Sequence, residues 1–219
     1  MQDFIETNST VASRVTEKLR SDIITKKIAA GSRITIKEIS ERYGTSNMPV
    51  REAFRILEGE NLLKFSAYKG AEVLKIDISF IKDIYGVLRA LEDLIYETAL
   101  PAVDDELLDQ LTKTNEKIRS LQDHQVAAYV DLNTSFHQLI IARGTNEKAI
   151  ELYTYYNRLI REIRKSYTPS FERIKQVIPE HESIIGALRE KDILKLKAAV
   201  DTHVMNAQKN FSVQYNSEN

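Results

Sequence analysis

The sequence predicts a mainly helical chain of two parts, a winged helix-turn-helix followed by an all-α bundle of antiparallel helices. Three observations carry this. Apolar residues recur at helical spacing through most of the chain, strand-like runs cluster only between residues 62 and 74, and positive charge is concentrated at the front. Residues 1–75 carry 13 Lys+Arg against 10 Asp+Glu, a net of +3, whereas residues 76–219 carry 18 against 22, a net of −4. The two parts are therefore placed at 1–75 and 76–219, and the basic one is the candidate nucleic-acid module.

The elements follow in order. Val11, Val15, Leu19, Ile23 and Ile24 share one helical face, with Thr10 or Ser13 available as a cap, so residues 11–26 read as the first helix. Ala30-Gly31 breaks the pattern, and a short helix from Ile36 to Tyr43 is closed by Gly44, which takes a positive φ at no steric cost. Ser46 precedes a third helix, Met48 to Glu58, with Pro49 in the first turn, where a missing N–H costs nothing. Leu62–Ser66 and Ala71–Leu74 flank Ala67-Tyr68-Lys69-Gly70 and predict a β-hairpin wing. From Asp77 onward, helices are expected at 78–100, 104–122, 125–143, 146–167, 170–189 and 192–212, with Pro179 kinking or restarting the fifth.

Composition narrows the classes. The chain has 219 residues, enough for two cores, while 7 Gly and 4 Pro leave little for linkers. Zero Cys excludes a disulfide framework, a thiol nucleophile and thiolate-held metals, and fits a reducing compartment. The acidic start MQDFIETNST lacks the basic opening of a signal peptide, and no apolar run reaches the length of a membrane span. A cytoplasmic protein with no membrane partner is expected.

In a helix-turn-helix the second helix enters the major groove, so its exposed N-terminal end carries the candidate contacts: Ser46, Asn47, Met48, Arg51 and Arg55. From the residues alone, pairing of Arg51 or Arg55 with Glu52 or Glu58 on a solvated helix remains the alternative. Here the chain resembles the GntR family of transcription regulators, through Gly31-Ser32-Arg33-Ile34 and through Ser46-Asn47-Met48-Pro49-Val50-Arg51-Glu52-Ala53-Phe54, which matches its S-R-x-P-V-R-E-A-L signature. The likeness runs on through Leu57, Leu62-Leu63 and Gly70–Val73. It implies that Arg51 meets a phosphate or a guanine, that Lys37 reaches DNA, and that the wing tip at Lys69-Gly70 enters the minor groove. It also implies a homodimer on double-stranded operator DNA, with repression the usual outcome. Asn47 stands where the family has Arg; asparagine pairs with adenine where arginine prefers guanine, which favours A·T at that step.

Three of the four histidines, His137, His181 and His203, fall on different expected helices, which a bundle core can bring together. Scattered histidines are by spacing alone more often surface or hydrogen-bonded core residues. Phe136-His137, Glu180-His181 and Ala198–His203, separated by 44 and 22 residues, resemble the histidine motifs of the FCD domain, the helical sensor of the FadR subfamily. Tyr85, Leu91 and Glu92 resemble its first helix. The resemblance implies a divalent transition metal, zinc or nickel, held by the three histidines. The family's Asp one turn before the first histidine is here Asn133, a neutral and weaker fourth donor. A small organic acid is the implied effector, with Arg89, Arg161 or Arg164 as countercharge and Tyr153 as a wall with a hydroxyl; for each of these a solvated or packing role is the alternative. Leu88 stands where relatives have Arg. A metal-dependent hydrolase using the same three histidines is the rival reading, but H-E-x-x-H, G-x-S-x-G and a glycine-rich phosphate loop are all missing.

Overall fold

The computed structural model describes residues 10–66, 70–164 and 169–218, with side chains as far as residue 215. The chain divides into two compact units, Met1–Asp77 and Ile78–Asn219.

In the first unit, α1 (Val11–Ile24) starts where the Thr10 hydroxyl accepts from the Ser13 amide at 3.1 Å, and it buries Val15, Leu19 and Ile23. A reciprocal Thr35–Glu38 capping box opens α2 (Ile36–Tyr43), and Gly44, at φ 61°, ends it. The chain then enters α3 (Asn47–Gly59), whose Val50, Ala53, Phe54 and Leu57 form the buried face. α1 packs against α3, with Arg20 as the unusual member of the seam. Arg20 is 2% exposed, and its Nε donates to Glu60 Oε2 at 2.7 Å while a terminal nitrogen pairs with Glu60 Oε1. Burial alone would lower this guanidinium's pKa, but Glu60 and then Glu17 raise it above the ordinary arginine value, so it stays charged. Asp22 ties α1 to α2, accepting from Lys18 at 2.6 Å and from the Tyr43 hydroxyl at 2.9 Å.

The wing has one strand more than the hairpin expected. β1 (Arg33–Ile34), β2 (Leu63–Ser66) and β3 (Gly70–Val73) form an antiparallel sheet in the order β1-β3-β2, with Arg33 opposite Glu72 and Leu63 opposite Val73. Two residues are too few to show alternation, so β1 left no period in the sequence.

The second unit has helices and no strand among its described residues. It comprises α4 (Ile78–Ala99), α5 (Asp105–Arg119), α6 (Val126–Ile141), α7 (Glu147–Arg164), α8 (Phe171–Glu190) and α9 (Ile193–Glu218). α4 packs on α9 and α7, α5 on α6 and α8, and α8 on α9. α8 runs unbroken through Pro179 and is not restarted there. No described helix is long and apolar enough to cross a membrane.

Candidate metal centre and nucleic-acid interface

α6, α8 and α9 each bring one histidine to a shared point. The possible ligand atoms of His137, His181 and His203 all lie within 4.8 Å of one another. His181 is fully buried and stacks on Phe136, with ring centroids 3.7 Å apart and planes 2° from parallel; His137 and His203 are 7% and 5% exposed. Burial lowers the pKa of all three below the ordinary imidazole value, and for His203 the neighbouring Glu180 offsets part of the shift. The rings are thus neutral at neutral pH, the form that ligates a cation.

Outer partners fix how two of the rings carry their proton. His203 Nδ1 lies 2.8 Å from Glu180 Oε2, and His181 Nδ1 lies 3.2 Å from Asn115 Oδ1. Both partners are acceptors, so Nδ1 holds the hydrogen and Nε2 keeps a lone pair. His203 Nε2 is 3.1 Å from His137 Nε2, whereas His181 Nε2 is buried with no hydrogen-bond partner. A buried acceptor without a donor is costly, and a divalent cation among the three Nε2 atoms would satisfy it. The donor set therefore fits zinc or a similar ion. Such an ion would be held by His137, His181 and His203 and would supply a positive charge and open coordination positions.

A cavity of about 760 Å3 reaches this centre. His137 and His203 line it, together with Asn133, Tyr153, Arg161 and Arg164 from the expected site. Asn133 Oδ1 faces the Tyr129 hydroxyl at 3.4 Å. Beside Tyr85 the Arg164 guanidinium has its pKa raised above the ordinary arginine value, against the effect of burial, and it stays charged. Tyr153 donates to Glu92 Oε1 at 2.9 Å, and burial pushes the Glu92 carboxyl up to about 7 despite that bond. Arg89, expected as a countercharge, lies elsewhere. It is exposed at the α4–α9 seam, with its Nε 3.2 Å from Asp201 Oδ1, and does not line the cavity; Leu88, one residue earlier, does. A helix turns 100° per residue, which sends neighbours to different faces.

Sequence reasoning missed Asn115, Tyr96, Arg173 and the bracing role of Glu180. Glu180 was visible only as the neighbour of His181, and Asn115 is separated from that histidine by 66 residues.

In the first unit, Lys37, Ser46, Asn47, Met48, Arg51 and Arg55 are all exposed, Met48 to 72%. Ser46 occupies the N-cap of α3, but its side chain makes no capping bond, so the hydroxyl is left to other partners. Neither Arg51 nor Arg55 forms an ion pair with a described residue, and Lys37 lies 4.0 Å from Glu41. Lys69 falls outside the described residues. Gly70 has a structural duty beside any at the wing tip: at φ +79°, a Cβ there would overlap the Ile34 carbonyl oxygen.

A winged helix-turn-helix whose α3 exposes Arg51 and Arg55, followed by a helical unit enclosing a cavity and a histidine cluster, defines a class of DNA-binding transcription regulators. Residues 11–73 match the bacterial regulatory proteins of the gntR family, and residues 83–206 match the FCD domain. The chain belongs to the GntR family, in the group whose second part is an FCD domain. It is 27% identical over 193 residues to the HTH-type transcriptional regulator YdhC of Bacillus subtilis, covering 86% of this chain and 83% of that one. It is 24% identical to the transcriptional repressor RspR of Escherichia coli, covering 85% and 82%, and 26% identical to the gluconate operon transcriptional repressor of Bacillus licheniformis, covering 82% and 76%. Among solved structures, a GntR-family regulator from Pseudomonas syringae pv. tomato superposes with a TM-score of 0.58 at 23% identity, covering 95% of this chain and 87% of that one. E. coli McbR/YncC superposes at 0.60 and 20%, covering 96% and 99%. At these identities the likeness speaks for the fold. The hydrolase alternative finds no support in this family.

Proposed function

We propose that this protein is a cytoplasmic, homodimeric repressor that binds double-stranded operator DNA through the first unit and releases it when a small organic acid enters the cavity of the second. The observation that carries the reading is the exposed front of α3, where Asn47, Met48, Arg51 and Arg55 stand free of carboxylate partners among the described residues. Phosphate and base contacts need such donors. Lys37, Ser46, Gly70 and, beyond the described residues, Lys69 complete the DNA-binding set, and Asn47 favours adenine at its step.

Zinc or nickel on His137, His181 and His203, with Asn133 as a weak fourth donor, would give the cavity a positive pole. Arg161 and Arg164 add countercharge for an acid, and Tyr153, its hydroxyl donating to Glu92, forms part of the same wall. Two relatives named as repressors support the sign of regulation. Effector binding would shift the population of dimer conformations and so their fit to two half-sites.

The test is selection of bound duplexes from random DNA by the full chain, repeated with a panel of small hydroxy and keto acids at two salt concentrations. Paired half-sites, a steep loss of binding with salt, and weakening by at least one acid are expected. Recovery of no preferred duplex would refute the reading.

A further inference from the structure

Each of the three histidines has an outer partner on its Nδ1, and the partners differ in what they permit. Glu180 receives four hydrogen bonds. Arg173 donates to its Oε1 at 2.6 Å and its Oε2 at 2.8 Å, Asn206 donates to Oε1 at 2.8 Å, and His203 donates to Oε2 at 2.8 Å. The carboxylate is saturated and can only accept. Arg173 lines the cavity, and each of its terminal nitrogens gives one N–H to Glu180, so the guanidinium braces that carboxylate from the cavity side. Asn115 is oriented with equal firmness. Its Nδ2 donates to the Ile178 carbonyl at 3.1 Å, which only accepts, and this turns Oδ1 toward His181.

His137 differs. Its Nδ1 lies 2.9 Å from the Tyr96 hydroxyl, a group that can donate or accept, and its Nε2 faces the lone pair of His203 Nε2 at 3.1 Å. With His203 fixed as an acceptor there, the metal-free hydrogen bond requires the proton of His137 on Nε2. Nδ1 then accepts from Tyr96. To ligate through Nε2, His137 moves its proton to Nδ1, and the Tyr96 hydroxyl rotates to accept it; no net proton is released.

We infer that Asn115 and the Arg173-braced Glu180 are positioning residues that lock His181 and His203 with Nε2 bare, while Tyr96 lets His137 alone change tautomer when a divalent cation enters. This rests on reading the histidines as a metal centre. It also accounts for how a site whose fourth donor is the neutral Asn133 can still hold an ion: aligned lone pairs and the Glu180 charge behind His203 raise ligand strength from outside.

The tests are zinc titration of the full chain by calorimetry and long-range 15N–1H imidazole spectra, with and without zinc. Without metal, His181 and His203 should show protonated Nδ1 and His137 protonated Nε2; with zinc, all three should show protonated Nδ1. Asn115→Leu and Glu180→Gln should each weaken zinc about 10- to 100-fold, and Asn115→Leu should let His181 populate the other tautomer. Because Glu180→Gln leaves the buried Arg173 without its carboxylate and risks the fold, Asn115→Leu is the deciding variant, with far-UV circular dichroism as the control. Wild-type zinc uptake with undiminished affinity in Asn115→Leu, or protonated Nε2 on His181 or His203 without metal, would overturn the inference alone. No zinc uptake by the wild type would instead remove the metal reading and this inference with it.

Discussion

Replacing Glu60 with leucine should strongly destabilise the first unit without touching the DNA-facing side of α3. Arg20 and Glu60 have side chains only 2% and 1% exposed, joined by two contacts across the α1–α3 seam. The substitution leaves a buried guanidinium whose remaining partner is Glu17, 2.7 Å away and itself 46% exposed. Removing one partner of a buried pair costs about 3–5 kcal/mol. A unit of this size is stable by roughly 4–11 kcal/mol, so the loss takes about a quarter of that or more. At about 4–8 °C per kcal/mol, the melting point of the unit should fall by roughly 12–40 °C. Hydrogen exchange of the α1 and α3 amides reads this unit separately from the helical one, and duplex binding should fail at the temperature where those amides lose protection. The double variant Arg20→Met with Glu60→Leu removes both charges together and should recover most of the stability. A cost below about 1 kcal/mol for Glu60→Leu, or a double variant no better than the single one, would refute the reasoning.

Arg51→Ala should weaken duplex binding by about 1–3 kcal/mol; if Arg51 holds a phosphate, the slope of log affinity against log salt should fall by about 0.9. Gel-shift titration over a salt series measures both, and an unchanged affinity counts against Arg51 as a contact. Gly70→Ala should cost at least about 1–2 kcal/mol from the left-handed backbone alone, with more from the clash with the Ile34 carbonyl, visible as lost protection of β1 and β3 amides. Burial by itself would raise the Asp22 pKa, but the hydrogen bonds from Lys18 and Tyr43 outweigh it and hold the carboxyl below its ordinary value. Its contribution to stability is therefore complete above the ordinary carboxylate range, near pH 4, and fades as pH falls through the lower native value. Urea melts between pH 6 and 2 should show an acid limb that flattens in Asp22→Asn.

Much of the fold was legible because it rests on local chemistry. The left-handed Gly44, Pro49 in a first turn and the periodic apolar faces of α1 to α9 are decided within a few residues of chain, where spacing reports them directly. β1 was not legible, since its two residues acquire strand geometry only by pairing with β3. The histidines were legible as a set through their resemblance to a family, but Arg89 was not separable from Arg161 and Arg164 without knowing which helix faces look into the cavity.

What the sequence determined alone was the inventory: a basic helix-turn-helix ahead of a helical unit with three histidines on three helices. What tertiary structure decided was which atoms those residues show one another. Whether a nitrogen carries a proton or a lone pair depends on the group across from it, and Asn115 reaches His181, and Glu180 reaches His203, only once separate helices have packed. Hydrogen bonding is set by distance and direction in space, and helix packing brings together residues that the chain keeps far apart.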